Sequence, residues 1–163
     1  MTYFEGSFPG SGHPYSSCAG DGYQATSRQP EPCVLLDLLL PDDARSAGLA
    51  RRTLTSVLRL WDAHDEATER GELLTSEVFT NATKYGGGES VRLVALRKGE
   101  LARIEVHDLS HRLPEPRRAG DYDESGRGCF LVEALAASNG AYETPSGKAV
   151  WFELPVWPRL DHH

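Results

Sequence analysis

The stretch "ELLTSEVFTNATKYGGG", residues 72–88, decides how the chain is read. Steps of about 100° per residue put Glu77, Asn81 and Lys84 on one side of a helix, beside the apolar line Leu74, Val78 and Ala82. Gly86, Gly87 and Gly88 then stop the helix, because glycine readily takes the positive φ of a helix end. A carboxylate and a carboxamide one turn apart permit two readings. Polar helix borders and Glu–Lys pairing give an ordinary solvated flank. Alternatively, the Asn81 amide oxygen is a hard, neutral ligand for Mg²⁺ on substrate phosphates, and Glu77 is a base for an incoming hydroxyl.

Upstream, "PDDARSAGLARRTLTSVLRLWDAH" (41–64) opens with Pro and acids and carries Ala47, Ala50, Leu54, Val57, Leu58 and Trp61 at three- and four-residue steps. This predicts an amphipathic helix. Before it, the apolar run "CVLLDLLL" (33–40), closed by Pro41, predicts a buried strand. Downstream, "SVRLVALRKGELARIEVHD" (90–108) holds two β-rich runs around a short Gly-containing loop, an antiparallel hairpin whose second strand ends at Asp108. The Pro-, Gly- and charge-rich "LSHRLPEPRRAGDYDESGRG" (109–128) reads as a long loop of the kind kept for lids or binding segments. "CFLVEALAASNG" (129–140) opens a further helix, and "AYETPSGKAVWFELPV" (141–156) pairs a turn with an apolar strand, with a possible extra strand before it. The order β, α, α, β, β, loop, α, β implies an α/β (α+β) two-layer sandwich: a mixed, largely antiparallel sheet covered on one face by helices.

The 163 residues suit one domain. Residues 33–156 form it, 1–32 read as a disordered N-terminal tail without periodicity, and 157–163 as a short C-terminal tail. A net charge of -7 argues against a nucleic-acid or anionic-membrane partner, both of which need a positive footprint. Cys18, Cys33 and Cys129 are odd in number and lack C-x-x-C spacing, so neither a disulfide framework nor a zinc knuckle is suggested. Together with the lack of a signal-like start or a membrane-length apolar window, this predicts a soluble cytoplasmic protein.

Two further features bear chemistry. In "ESGRGCFLVEAL", Gly126 and Gly128 precede an apolar helix, where backbone N–H groups and the helix dipole can meet phosphate oxygens; Arg127 either clamps a phosphate or faces water. Asp108, at a strand end beside the long loop, either caps a turn or accepts a hydrogen bond from an exocyclic amine such as that of adenine.

A helix with E-x-x-x-N, a hairpin ending in Asp, a long loop, G-x-G opening a helix and a closing strand together resemble the ATP-binding domain shared by gyrase, Hsp90, histidine kinases and MutL, over about residues 33–156. Within that superfamily, "ELLTSEVFTNATKYGG", "SGRGCFLVEALA" and "SGKAVWFELP" are most similar to the small bacterial anti-sigma-factor serine kinases. The resemblance implies a Bergerat-type fold, ATP and Mg²⁺, with Glu77 as general base and Asn81 as Mg²⁺ ligand. It also implies Asp108 as adenine contact, Lys84 and Arg127 beside the nucleotide, Gly126 and Gly128 as phosphate donors, and residues 110–127 as the ATP lid. The implied reaction is transfer of the γ-phosphoryl group to a serine of an anti-anti-sigma (STAS-type) protein, with a sigma factor as second partner and a homodimer as the working form.

Two positions depart from the pattern. Ser110 stands where the family's D-x-G has glycine, and Ala149 falls where a Thr usually bonds around the adenine-binding Asp. Ala149 predicts weakened ATP contact, and the two together support an alternative: a binding module of the same fold that acts on a sigma factor or its antagonist without phosphorylating anything.

Overall fold

A computed structural model describes residues 31–114 and 131–157. They include β1 (Cys33–Pro41), α1 (Ala44–Leu60), α2 (Asp65–Tyr85), β2 (Ser90–Lys98), β3 (Leu101–Asp108), β4 (Ser138–Thr144) and β5 (Gly147–Pro155). The strands form one sheet in the order β1-β2-β3-β5-β4, and every neighbouring pair is antiparallel. The sheet is thus more regular than the mixed one expected, and the possible extra strand is β4.

Helix α1 begins where the sequence places it. Asp43 is its N-cap, and its Oδ1 accepts from the backbone N–H groups of Arg45 and Ser46 at 2.8 and 3.1 Å. Such a cap satisfies donors that the first turn leaves orphaned and contributes roughly 1 kcal/mol. Leu54 and Leu58 of α1, Leu74, Val78 and Phe79 of α2, and Leu93, Ile104, Phe152 and Leu154 of the sheet meet in the core. Period-2 alternation explains the choice of strand residues: Leu93 pairs with Val106 and Ile104 with Phe152, all on one face, which the helices cover. Helix α1 packs on β1, and α2 on β3, β5 and β2.

On the opposite face the same alternation lines up Arg103, Glu105, His107, Tyr142, Trp151 and Glu153. Glu105 is buried there between Arg103 Nε at 2.6 Å, Tyr142 Oη at 2.8 Å and His107 Nε2 at 3.0 Å. The Arg103 guanidinium also lies over the Trp151 ring, 3.9 Å from its centroid.

Three local expectations change. Only residues 131–135 of the helix foreseen over 129–140 are helical among those described, and Ser138–Gly140 belong to β4. Pairing with β5 decides this, because the Ala137 N–H already donates to the Glu153 carbonyl and commits the chain to the sheet edge. Trp157, assigned to the C-terminal tail, is buried in the core; its Nε1–H donates to the Trp61 carbonyl at 2.6 Å, fastening the end of α1. Cys33 is disulfide-bonded, where the sequence suggested no disulfide framework. An odd cysteine count excludes a fully paired set, but it leaves room for a single bridge.

Candidate functional site

Glu77 and Asn81 are half-buried on α2. The flank of α2 that meets α1 is marked by the Arg51–Glu72 ion pair and by Thr80 and Thr83, which line a groove with Ala44 and Ala47. Helical stepping puts Glu77 and Asn81 on the other flank, away from α1. Neither side chain has a hydrogen-bond or ion-pair partner among the described residues. Lys84 is exposed and lines the α1-side groove of about 290 Å³ with Asp42 and Asp43. The structure therefore sets Glu77 and Asn81 side by side and Lys84 at the edge of a different recess.

Asp108 ends β3 against the end of the same helix. Gly86 is the C-cap of α2, and a Cβ there would stand 2.9 Å from the Asp108 Cβ, so glycine permits the approach. Asn81 lies five residues back along the helix, about 7.5 Å at 1.5 Å per residue, and Glu77 about 6 Å further. Asp108 is buried. Its Oδ1 accepts the Ser110 N–H at 2.8 Å, which fixes the side chain in a turn of the loop leaving β3. Ser110, singled out as a missing glycine, thus supplies a backbone donor to Asp108.

The larger surprise stands across the ladder. Asp108 pairs with Lys148, and His107 with Ala149. Lys148 Nζ lies 3.0 Å from both Asp108 Oδ1 and Oδ2, and the two side chains are 9% and 3% exposed. The expectation about Ala149 is therefore corrected: its side chain is on the face opposite Asp108, and the residue that faces the carboxylate is Lys148. Gly147 allows the close fit, since a Cβ at that position would stand 1.9 Å from the Asp108 carbonyl oxygen. Pairing registers do not follow from motif spacing, which is why Lys148 was missed; counting "RIEVHD" against "GKAVWFEL" from a shared strand end would have found it.

Gly126, Arg127 and Gly128 lie outside the described residues, as does most of the lid foreseen over 110–127. Among the described residues, no cluster of three or more His, Cys, Asp or Glu side chains could cage a metal ion. Mg²⁺ does not require one, because it keeps waters and substrate phosphates as ligands and takes one or two from protein. The unpartnered Asn81 amide is of the right chemistry for that share. Among the same residues, no helix is long and apolar enough to cross a membrane.

Comparison with known proteins gives one family: histidine kinase-like ATPase domain, matched over residues 40–154. The curated proteins contain no match. Among solved structures, the chain is similar to the histidine kinase domain from Erythrobacter litoralis EL346 blue-light activated histidine kinase, at 22% identity and a TM-score of 0.45, over 72% of this chain and 62% of that one. The chain thus spans less than two thirds of that domain's length. With most of its length matched by the family, including the helix that carries Glu77 and Asn81 and the strand that ends at Asp108, this chain belongs to the histidine kinase-like ATPase domains.

Proposed function

We propose that the protein is an ATP-dependent serine kinase of the anti-sigma-factor type. The observation that carries the reading is the pairing of Glu77 and Asn81, one turn apart, half-buried and without partners among the described residues, on the flank of α2 turned from α1, with Asp108 at the end of β3. In this reading Asn81 holds Mg²⁺, Asp108 meets the base, and Gly126, Arg127 and Gly128 approach the phosphates. Mg²⁺ supplies charge neutralisation on the phosphates when bound. The serine hydroxyl oxygen of the partner forms a bond to the γ-phosphorus, the bond from that phosphorus to the departing ADP oxygen breaks, and Glu77 takes the hydroxyl proton. The partner is an STAS-type anti-anti-sigma protein, a sigma factor is the second ligand, a homodimer is the working form, and the cytoplasm is the site of action. The charge of -7 fits protein partners better than nucleic acid.

The Asp108–Lys148 contact favours a second reading, a module of this fold that binds a sigma factor or its antagonist without catalysis. Labelled ATP incubated with the protein and candidate anti-anti-sigma proteins separates the two. The kinase reading expects label on serine and its loss by at least a hundredfold in Glu77→Ala. Transfer undiminished in that variant removes Glu77 as the base, and no heat in calorimetry at millimolar Mg²⁺–ATP leaves the binding module.

A further inference from the structure

Helix α1 carries a charge pattern that its own stability does not call for. It holds Arg45, Arg51, Arg52 and Arg59 and no acidic residue, in a chain whose 24 Asp and Glu outnumber its 17 Lys and Arg. The neighbouring α2 has the opposite balance, with five acids against Arg70 and Lys84. Arg51 turns toward α2 and meets Glu72 at 3.9 Å. The other three do not. At 100° per residue, Arg45, Arg52 and Arg59 fall within about 40° of one another, on the side of the helix opposite the buried Ala50, Leu54 and Leu58. They stand seven residues apart, roughly 10.5 Å from one to the next. Each is exposed, and none has a hydrogen-bond, ion-pair or cation–π partner among the described residues.

Local energetics sets this line apart from an ordinary solvated face. Arg45 lies in the first turn, where the helix dipole disfavours a cation and an acid would stabilise. Gly48 borders the same line, although glycine is the poorest helix former after proline. A Cβ there would stand 3.3 Å from Nη1 of Arg52, so the guanidinium lies back over bare backbone. Along the other border run Leu49 and Leu60, 45% and 81% exposed. A solvated face would place acids one turn from its arginines and keep its leucines for the core.

We propose that the outer face of α1, from Arg45 to Leu60, is a docking strip for an acidic amphipathic helix of a protein partner. Charge complementarity sets the partner's sign. The guanidinium sets its chemistry, because the planar fork takes a carboxylate through two parallel hydrogen bonds. Carboxylates at every second turn of the partner helix match the spacing of the three arginines, and apolar side chains between them cover Leu49 and Leu60. Gly48 leaves room for that helix to come close. Nucleic acid and anionic membrane are also drawn to arginine, but both present wide negative surfaces to a chain of net charge -7, whereas a single helix touches the strip alone. The inference stands on α1 and does not depend on nucleotide binding.

The test uses the full chain and a labelled synthetic helical peptide with glutamate at every seventh position and leucines between, followed by fluorescence anisotropy at low salt. Saturable binding is expected with Kd of about 1–100 μM, weakening as salt rises. Arg45→Glu and Arg52→Glu are each expected to weaken it at least about tenfold, and Leu60→Ser at least about threefold. A peptide of the same composition, scrambled so that its glutamates face all sides, should bind at least about tenfold more weakly. Amide chemical shifts should move along Arg45–Leu60. All the substituted side chains are exposed, so the variants keep the fold, and an unchanged melting temperature checks this. No saturation at millimolar peptide, equal binding of the scrambled peptide, or undiminished binding by Arg52→Glu overturns the proposal. It is also overturned if phosphatidylglycerol vesicles or duplex DNA bind more tightly than the peptide and are released by the same variants, since the strip then serves a different partner. A protein that binds the peptide but not Mg²⁺–ATP keeps the strip and loses the nucleotide reading; the converse result does the reverse.

Discussion

Replacing Lys148 by Met removes an ammonium that sits 3.0 Å from both oxygens of a carboxylate that is 3% exposed. The gross attraction lost is about 5–6 kcal/mol, taking unit charges 3 Å apart at an effective dielectric of ~20. Most of that attraction is offset in the native protein by the cost of taking both ions out of water. The variant loses the attraction and keeps half of the cost, because Asp108 stays buried with only the Ser110 N–H among its named contacts. Lys148→Met is therefore expected to lose about 3–5 kcal/mol, and Asp108→Asn, which strands the ammonium, a similar amount. The double variant removes both charges at once. Its loss should fall short of the sum of the single losses by at least ~2 kcal/mol, the signature of two groups that act as a unit. Urea unfolding followed by circular dichroism reads these values as shifts in midpoint at unchanged slope. A single-variant loss below about 1 kcal/mol, or losses that simply add, would refute the reasoning. Domains of this size have roughly 5–15 kcal/mol in hand, so the variants remain folded at 25 °C and measurable.

Two further outcomes are expected. Burial pushes the Glu105 carboxyl up, but the hydrogen bonds from His107 and Arg103 outweigh it and hold the group at about 2 against an ordinary 4.5. A lowered carboxyl contributes stability above the ordinary value and loses it as pH falls toward the folded value, so roughly 3 kcal/mol should disappear between about pH 4.5 and 2; acid unfolding of Glu105→Gln should show a flatter limb there, and an unchanged limb would exclude Glu105 as its source. Trp157→Phe keeps an aromatic ring but deletes the 2.6 Å hydrogen bond to the Trp61 carbonyl, and calorimetric melting should fall by about 2–4 °C for the ~1 kcal/mol lost.

How much of this was legible in the sequence depended on the distance over which the deciding physics acts. Helix α1 was legible because its signals are local: Asp43 caps two residues after the strand run closes at Pro41, and Leu54 and Leu58 repeat at one-turn spacing. The β2–β3 hairpin was legible for the same reason, its turn and alternation lying within one continuous stretch. The shortened helix after residue 131 was not, since "VEALAASNG" carries a helical pattern and only pairing with β5, near in space, converts its end into β4. Trp157 was equally out of reach: a lone aromatic beyond the last strand gives no hint that its N–H meets a carbonyl 96 residues earlier.

The pair at Asp108 shows the limit most sharply. Two adjacent residues in "SGKAV" differ by one step along a strand, and one step moves a side chain to the opposite face of the sheet. Motif spacing tolerates an error of one; side-chain contact with Asp108 does not. With Ala149 at the family's hydroxyl position, the carboxylate would have been a lone acceptor missing a neighbour, and the natural reading was a weakened adenine site. With Lys148 there, the carboxylate meets an ammonium at both oxygens and the Ser110 N–H at one. A buried ion pair adds little net stability over an apolar replacement of the same shape, because desolvation cancels its attraction. Its consequence is local: a buried carboxylate already held by Lys148 and the Ser110 N–H is what any partner of Asp108 has to accommodate.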